Sequence, residues 1–305
     1  MDNSSDSGYH IPVMLKEVTE GLNIIPGGIY VDCTFGGGGH SRAILERLSS
    51  SGRLIAFDQD PDARRNIPDD PRVLFVPQNF RYLQRFLRLH EIENPNGILA
   101  DLGVSSHQFD EAERGFSTRF DAKMDMRMDT RSEKTAFDIL QNYSREDLQK
   151  IFSEYGEVTN SKTLAAEIVS VRDSLDLSTI NQFKAAISGI VRGNPNKYFA
   201  QVFQALRIEL NEELEALKEM LVQAAEVLKP GGRIAVITFH SLEDRIVKNF
   251  FKLGSFEQEE EVPFIQTEKK RPLKQITRKP LIPQPDEIKL NPRSRSAKLR
   301  IAEKI

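Results

Sequence analysis

Residues 29–60 read IYVDCTFGGGGHSRAILERLSSSGRLIAFDQD, and their pattern decides the fold class. Ile29, Tyr30 and Val31 are β-branched or aromatic and suit a strand. Gly36 to Gly39 form a turn of unusual backbone freedom. From Ser41 to Leu48 the apolar residues Ala43, Ile44, Leu45 and Leu48 fall at helical spacing. Leu54 to Phe57 is a second strand, and it ends in Asp58. An acid ~20 residues beyond a glycine turn is where a nucleoside or dinucleotide site places its ribose-binding carboxylate. The stretch therefore predicts half of a nucleoside-cofactor site. A tight structural turn in some other α/β protein is the plainer alternative.

Two residues argue against a nicotinamide dinucleotide. The fingerprint G-x-G-x-x-G puts its third glycine where helix and strand pack closely, and Ser41 stands there instead. Asp32, at the end of the first strand, would repel a pyrophosphate and attract a cation. S-adenosyl-L-methionine carries a sulfonium and an ammonium, together with an adenosine ribose for Asp58 to hold, and fits the two acids better.

Outward from this unit, the alternation continues. Tyr9 to Gly21 is expected to be an ordered lead-in in which Pro12 can start a helix, and residues 1–8 are expected to be disordered. Val73 to Val76 is a third strand, and Gln78 to His90 a basic amphipathic helix. Gly97 to Leu102 is a fourth strand that carries Asp101 into the loop GVSSHQ. Strands alternating with helices imply βαβ units and a parallel sheet. Then the alternation stops. RGFSTRFDAKMDMRMD is irregular, and Lys134–Asn142, Arg145–Ser153, Ser161–Arg172 and Thr179–Ile190 read as helices. Residues 110–199 are thus expected to be an all-helical insertion for substrate recognition, interrupting one sheet-bearing domain of residues 1–109 and 200–305. Ala200 to Leu228 reads as one or two long helices of that domain. Arg233 to Phe239 (RIAVITF) is a buried strand, and Ser241 and Asp244 are expected to cap the helix that follows it. An edge strand near Pro263–Thr267, a Pro-rich loop from Arg271 to Pro285 and a last strand at Ala297–Ala302 complete the expectation.

Composition bounds the chemistry. With 305 residues, 39% hydrophobic and 29% charged, the chain is expected to be a globular protein with ample core. Its polar start, MDNSSDSG, is not expected to be a signal peptide, and no stretch approaches the ~20 apolar residues of a membrane span. The single cysteine, Cys33, excludes an internal disulfide and fits a reducing cytoplasm. The five histidines lack metal-ligand spacing, so no metal is expected. The net charge of −3 hides a contrast: residues 266–305 hold twelve Lys and Arg against four acids, whereas residues 257–261 hold four acids. The basic stretch suits either phosphate contact or a solvated tail.

Several blocks are more specific than any of these patterns: HIPVML, YVDCTFGGGGHS, FDQDPDA, LADLGVSSHQFD, ERGFS, DMRMD, FQALRIELNEELEAL, LKPGGRIAVITFHSLEDRIVK and NPRSRSAKLRIAEK. In this order, across nearly the whole chain, they resemble the RsmH/MraW family of bacterial methyltransferases, which modify N4 of a cytidine in the decoding region of 16S ribosomal RNA. The resemblance implies a Rossmann-like S-adenosylmethionine-dependent fold with an inserted helical domain, and 16S ribosomal RNA, within the small subunit, as partner. It also implies that Gly38, Gly39 and His40 hold the methionine and sugar side of the cofactor. Asp58 would hold the ribose, Phe80 would lie by the adenine, and Asp101 and Gln108 would close the pocket. From sequence alone Phe80 reads as a core residue. His107 stands where the family usually has proline, which leaves the Gln108 loop less rigid.

Methyl transfer from a sulfonium needs orientation more than covalent help. Asp101 is the candidate acceptor for the cytosine amine by topology, with a cofactor contact as its other reading. Asp125 and His240 are weaker catalytic candidates, and His240 equally suits a structural cap. The chain, like the family, lacks a Pro-Pro-Tyr motif. Methylation at pyrimidine C5 needs an attacking thiolate, and Cys33 lies in the cofactor-turn region, so C5 chemistry is not expected. Two other functions remain open at this point: an RNA-binding or regulatory protein with a vestigial cofactor fold, and a dinucleotide-dependent oxidoreductase.

Overall fold

A computed structural model of the chain describes residues 12–256 and 271–305. The expected edge strand at Pro263–Thr267 and the acidic run at 257–261 lie outside them, as do residues 1–11. The chain divides into two compact units, residues 1–103 with 216–305, and residues 104–215.

The first unit opens with helix α1 (Leu15–Gly21), strand β1 (Ile29–Asp32), helix α2 (Gly39–Leu45), β2 (Arg53–Phe57), β3 (Val73–Val76), α3 (Leu83–Leu89) and β4 (Gly97–Asp101). The second unit holds α4 (Ser106–Asp110), α5 (Ala136–Asn142), α6 (Arg145–Glu154), α7 (Ser161–Val171), α8 (Ile180–Ala186) and α9 (Pro195–Asn211). The chain continues through α10 (Glu213–Val227) and returns to the first unit with β5 (Arg233–Thr238), α11 (Ser241–Leu253), β6 (Leu273–Gln275), α12 (Pro285–Leu290) and β7 (Lys298–Lys304).

The strands form one seven-stranded sheet in the order β3-β2-β1-β4-β5-β7-β6. The first five are parallel; β7 runs antiparallel to β5, and β6 antiparallel to β7. Period-two alternation gives the sheet two apolar faces. Val31, Ile55, Ile98 and Val236 face α3, α10 and α11 through Leu87, Leu221 and Val247, while Tyr30, Leu54, Leu99 and Ile237 face α1 and α2 through Val18 and Ile44. The strand order reverses between β1 and β4, and at such a switch point the carboxyl ends of the strands open a ligand crevice.

The helical unit has its own core, and in it the DMRMD block becomes intelligible. Met124, Met126 and Met128 alternate into the core, whereas Asp125 pairs with Arg127 and Asp129 with Arg131. This unit is wider than the expected insertion of residues 110–199. Helix α9 was assigned from sequence partly to the methyltransferase half, but Val202, Phe203, Ala205 and Leu206 are buried with the helical core.

Three further expectations need correction. Strand β6 lies inside the stretch read as a Pro-rich loop; Pro272 precedes it, at the start of an edge strand where a missing donor costs little. The final strand begins at Lys298 and runs on to Lys304. The cap of α11 is provided by Glu243, whose Oε2 accepts the N–H groups of Phe239 (2.8 Å) and His240 (3.4 Å). Asp244 is committed elsewhere: it accepts from Arg300 Nε at 2.7 Å and from Lys298 Nζ at 3.3 Å.

Candidate active site

The turn between β1 and α2 is fixed by backbone demands before any ligand is considered. Gly38 has φ 74°, a left-handed conformation that disfavours a side chain. A Cβ on Gly39 would lie 2.2 Å from Pro12 Cγ, so Pro12 packs directly against the turn. Helix α2 accordingly begins at Gly39, earlier than its apolar spacing suggests.

Asp32 is 1% exposed at the end of β1. Its Oδ2 accepts from the Ser41 hydroxyl at 2.7 Å, and its Oδ1 from the Thr34 N–H at 3.0 Å. Burial pushes its carboxyl above the ordinary range, opposed by the Ser41 hydrogen bond. The Ser41 that departs from the dinucleotide fingerprint is therefore the partner of this acid.

Asp58 follows β2. Its Oδ2 accepts the Gly36 N–H at 2.7 Å and its Oδ1 the Asp60 N–H at 2.8 Å, which ties the glycine turn to the second strand. Burial outweighs these donors and pushes its carboxyl up to about 7. Each oxygen keeps a further lone pair. Asn79 donates to Gln59 at 2.8 Å and accepts the Arg81 N–H at 2.9 Å, so the turn Phe80–Tyr82 is pinned beside the end of β2. Phe80 is half-buried and packs against the sheet core, as its sequence alone suggested.

Asp101 ends β4 across the switch point from Asp32. Its N–H donates to Thr34 Oγ1 at 2.7 Å. Its Oδ2 stands 3.5 Å from Nε2 of His40, which is 6% exposed. Among the described residues, both ring nitrogens of His40 and Oδ1 of Asp101 are buried without a hydrogen-bond partner. Buried polar atoms left unpaired are expensive, and where they converge they mark a place for a polar ligand.

The first unit thus brings Gly38, Gly39, His40, Asp58 and Asp101 to the carboxyl edge of β1, β2 and β4. Gln108 belongs to the helical unit, where it closes a capping box: its Oε1 accepts the Ser105 N–H at 3.0 Å, and its own N–H donates to Ser105 Oγ at 3.2 Å. His107, on the same short helix, is exposed.

Asp125 is not free to act as a base. Both of its oxygens are engaged by Arg127 at 2.8 Å, and although burial raises its carboxyl the guanidinium outweighs burial and holds it low. His240 stands at the N-cap of α11 with Nε2 3.2 Å from Glu243 Oε1, a place set by the helix start. Sequence reasoning passed over Thr34 altogether. Its signal was a hydroxyl two residues after Asp32, but its partner is far along the chain.

A sequence profile of the family described as the MraW methylase family matches residues 7–305. The chain is 56% identical over 300 residues to a Bacteroides thetaiotaomicron protein named ribosomal RNA small subunit methyltransferase H, covering 97% of each chain. A protein of the same name from Bacteroides fragilis is 55% identical over 303 residues, 98% of each chain. The one from Parabacteroides distasonis is 54% identical over 302 residues, 98% of this chain and 99% of that one.

Proposed function

The chain belongs to the MraW methylase family, and from that premise we propose that it transfers a methyl group from S-adenosyl-L-methionine to small-subunit ribosomal RNA, at N4 of a cytidine in the decoding region of 16S RNA. The observation that carries this reading is the convergence of His40 and Asp101, with buried polar atoms unpaired, at the switch point of the sheet.

The residues present fit the cofactor. Asp32, Asp58 and Asp101 make the crevice attractive to a sulfonium and an ammonium. Gly38, Gly39 and His40 hold its methionine and sugar side, Asp58 accepts from the ribose hydroxyls, and Phe80 supplies an apolar wall for the adenine. When bound, S-adenosylmethionine supplies an electrophilic methyl group.

The cytosine amine is a poor nucleophile because its lone pair is drawn into the ring. Asp101 would accept a hydrogen bond from N4–H, which aligns the amine. It would take that proton as the new nitrogen–carbon bond replaces the methyl–sulfur bond, whose electron pair stays on the departing neutral thioether. Most of the acceleration then comes from holding the reactants in line. A base in folded RNA reaches such a crevice only when it is splayed out of its stack. The helical unit, residues 104–215, serves to recognise that RNA, and the protein works in the cytoplasm on the assembling or assembled subunit.

The test is to incubate the purified protein with small ribosomal subunits and labelled cofactor, then digest the RNA and identify the product by mass spectrometry. N4-methylcytidine is expected. The 5-methyl isomer or a ribose-methylated nucleoside would overturn the assignment of the atom, and absence of label in 16S RNA would overturn the substrate.

A further inference from the structure

Strands β1 and β4 pair in parallel up to Asp32 opposite Leu99, and one more backbone bond, from Cys33 N–H to Leu99 O at 2.8 Å, continues the ladder. Beyond it a side chain replaces the backbone. The Asp101 N–H donates to Thr34 Oγ1 at 2.7 Å, and the same oxygen stands 3.5 Å from Asp32 Oδ1. The Thr34 N–H donates to that Oδ1 at 3.0 Å, and the Ser41 hydroxyl holds Asp32 Oδ2 at 2.7 Å. A continuous chain of hydrogen bonds therefore runs from the first turn of α2, through Asp32 and Thr34, to the backbone of Asp101. Threonine suits the middle of this chain because branching at Cβ stiffens χ1 and keeps the hydroxyl in one direction.

We infer that Thr34 is a positioning residue for methyl transfer: its hydroxyl fixes the backbone of Asp101, and thereby the direction of the Asp101 carboxylate across the switch point. The inference rests on the role given to Asp101 above. The competing view is that Thr34 merely satisfies an N–H at a strand end. That view predicts a loss of stability and nothing else. Misplacing a catalytic group by a fraction of an ångström instead lowers turnover, by up to about a hundredfold for a shift of ~1 Å.

The experiment uses the full chain with small ribosomal subunits as substrate and compares wild type, Thr34→Val, Thr34→Ser, Asp101→Asn and the Thr34→Val/Asp101→Asn double variant. Thermal midpoint, cofactor affinity by calorimetry, kcat and KM are measured for each. Thr34→Val is expected to lower kcat on the order of tenfold or more, with a smaller change in cofactor affinity, and Thr34→Ser to restore most of the loss. In the Asp101→Asn background the valine is expected to cost little further, because the group it positions has already lost its charge. An unchanged kcat in folded Thr34→Val, or an equal loss in both backgrounds, overturns the inference while leaving Asp101 in place. If Asp101→Asn alone alters neither kcat nor cofactor affinity, the role of Asp101 and this inference fall together. Should Thr34→Val not fold, Thr34→Ala removes the same hydroxyl without adding bulk, and wild-type turnover in that variant is equally fatal.

Discussion

The Ser41 hydroxyl donates to Asp32 Oδ2 at 2.7 Å, with both residues almost completely buried. A glycine at position 41, as a dinucleotide fingerprint has it, would leave that carboxylate oxygen without its side-chain donor. A hydrogen bond to a buried charge contributes more than one between neutral groups. Ser41→Ala should therefore destabilise the protein by about 1–3 kcal/mol, read as a lower urea midpoint with an unchanged slope. A midpoint equal to that of wild type would mean that Asp32 is held without Ser41.

Asp58 makes a prediction with a definite pH dependence. Its folded-state value of about 7 lies above the ordinary 3.8, because burial outweighs the two N–H donors. The folded chain thus binds this proton more tightly than the unfolded one. The stability it contributes is complete below pH ~4 and is lost as pH rises toward 7. Ribose hydroxyls donate to the charged form, so cofactor affinity should rise with pH up to about 7 and then level off. Asp58→Asn should flatten both trends, and subtracting it removes the cofactor's own titration. Asp58→Ala should cost roughly 2–4 kcal/mol in affinity, from two charge-assisted bonds that do not simply add. Calorimetry that finds the same affinity and the same pH profile in the folded variant would take Asp58 out of the site.

The fold was legible where local pattern and tertiary place agree. Residues 29–60 alternate strand and helix periods so clearly that β1, α2, β2 and the two acids could be placed without a structure. Helix α9 shows the limit. The spacing of Val202, Phe203 and Leu206 says that one face is buried, but it does not say in which unit, and they belong to the helical core. The α11 cap shows another. Ser241 and Asp244 fit an N-terminal cap by spacing, but Arg300, a strand away, claims Asp244, and Glu243 takes the cap instead. Strand β6 has three residues behind a proline, too short for any period to register. Asp125 looked chemically available until its neighbour Arg127 was seen to close on it from two sides.

Asp244 and Arg300 give a prediction about stability. Arg300 is 4% exposed in β7, and Asp244 holds its Nε at 2.7 Å. Removing one partner of a buried pair leaves an uncompensated charge, so Asp244→Ala should destabilise by about 3–5 kcal/mol. Lys298 contacts the same carboxylate at 3.3 Å, but its side chain is 41% exposed. Lys298→Ala should therefore change stability by less than about 1 kcal/mol. Chemical denaturation of the two variants side by side tests the ranking, and equal losses would contradict it.

The same contacts divide the basic C-terminal stretch and set the last prediction. Lys298 and Arg300 are already paired with Asp244. Arg293 and Arg295 lie on the turn Pro292–Ser296, whose buried Ser294 and capping Asn291 hold it in place, with Arg295 exposed. If this turn meets RNA, each phosphate contact releases counterions and adds about 0.7–0.9 to the slope of log affinity against log salt. The Arg293→Ala/Arg295→Ala pair should then lower that slope by up to about 1.4–1.8, twice the single-contact value, and weaken binding similarly for RNAs of different sequence. Lys298→Ala, by contrast, should leave the slope unaltered. Binding of a decoding-region RNA fragment across a salt series measures both. An unaltered slope in the arginine pair would make the stretch a solvated surface, and an equal fall in Lys298→Ala would mean that Asp244 releases its lysine to the RNA.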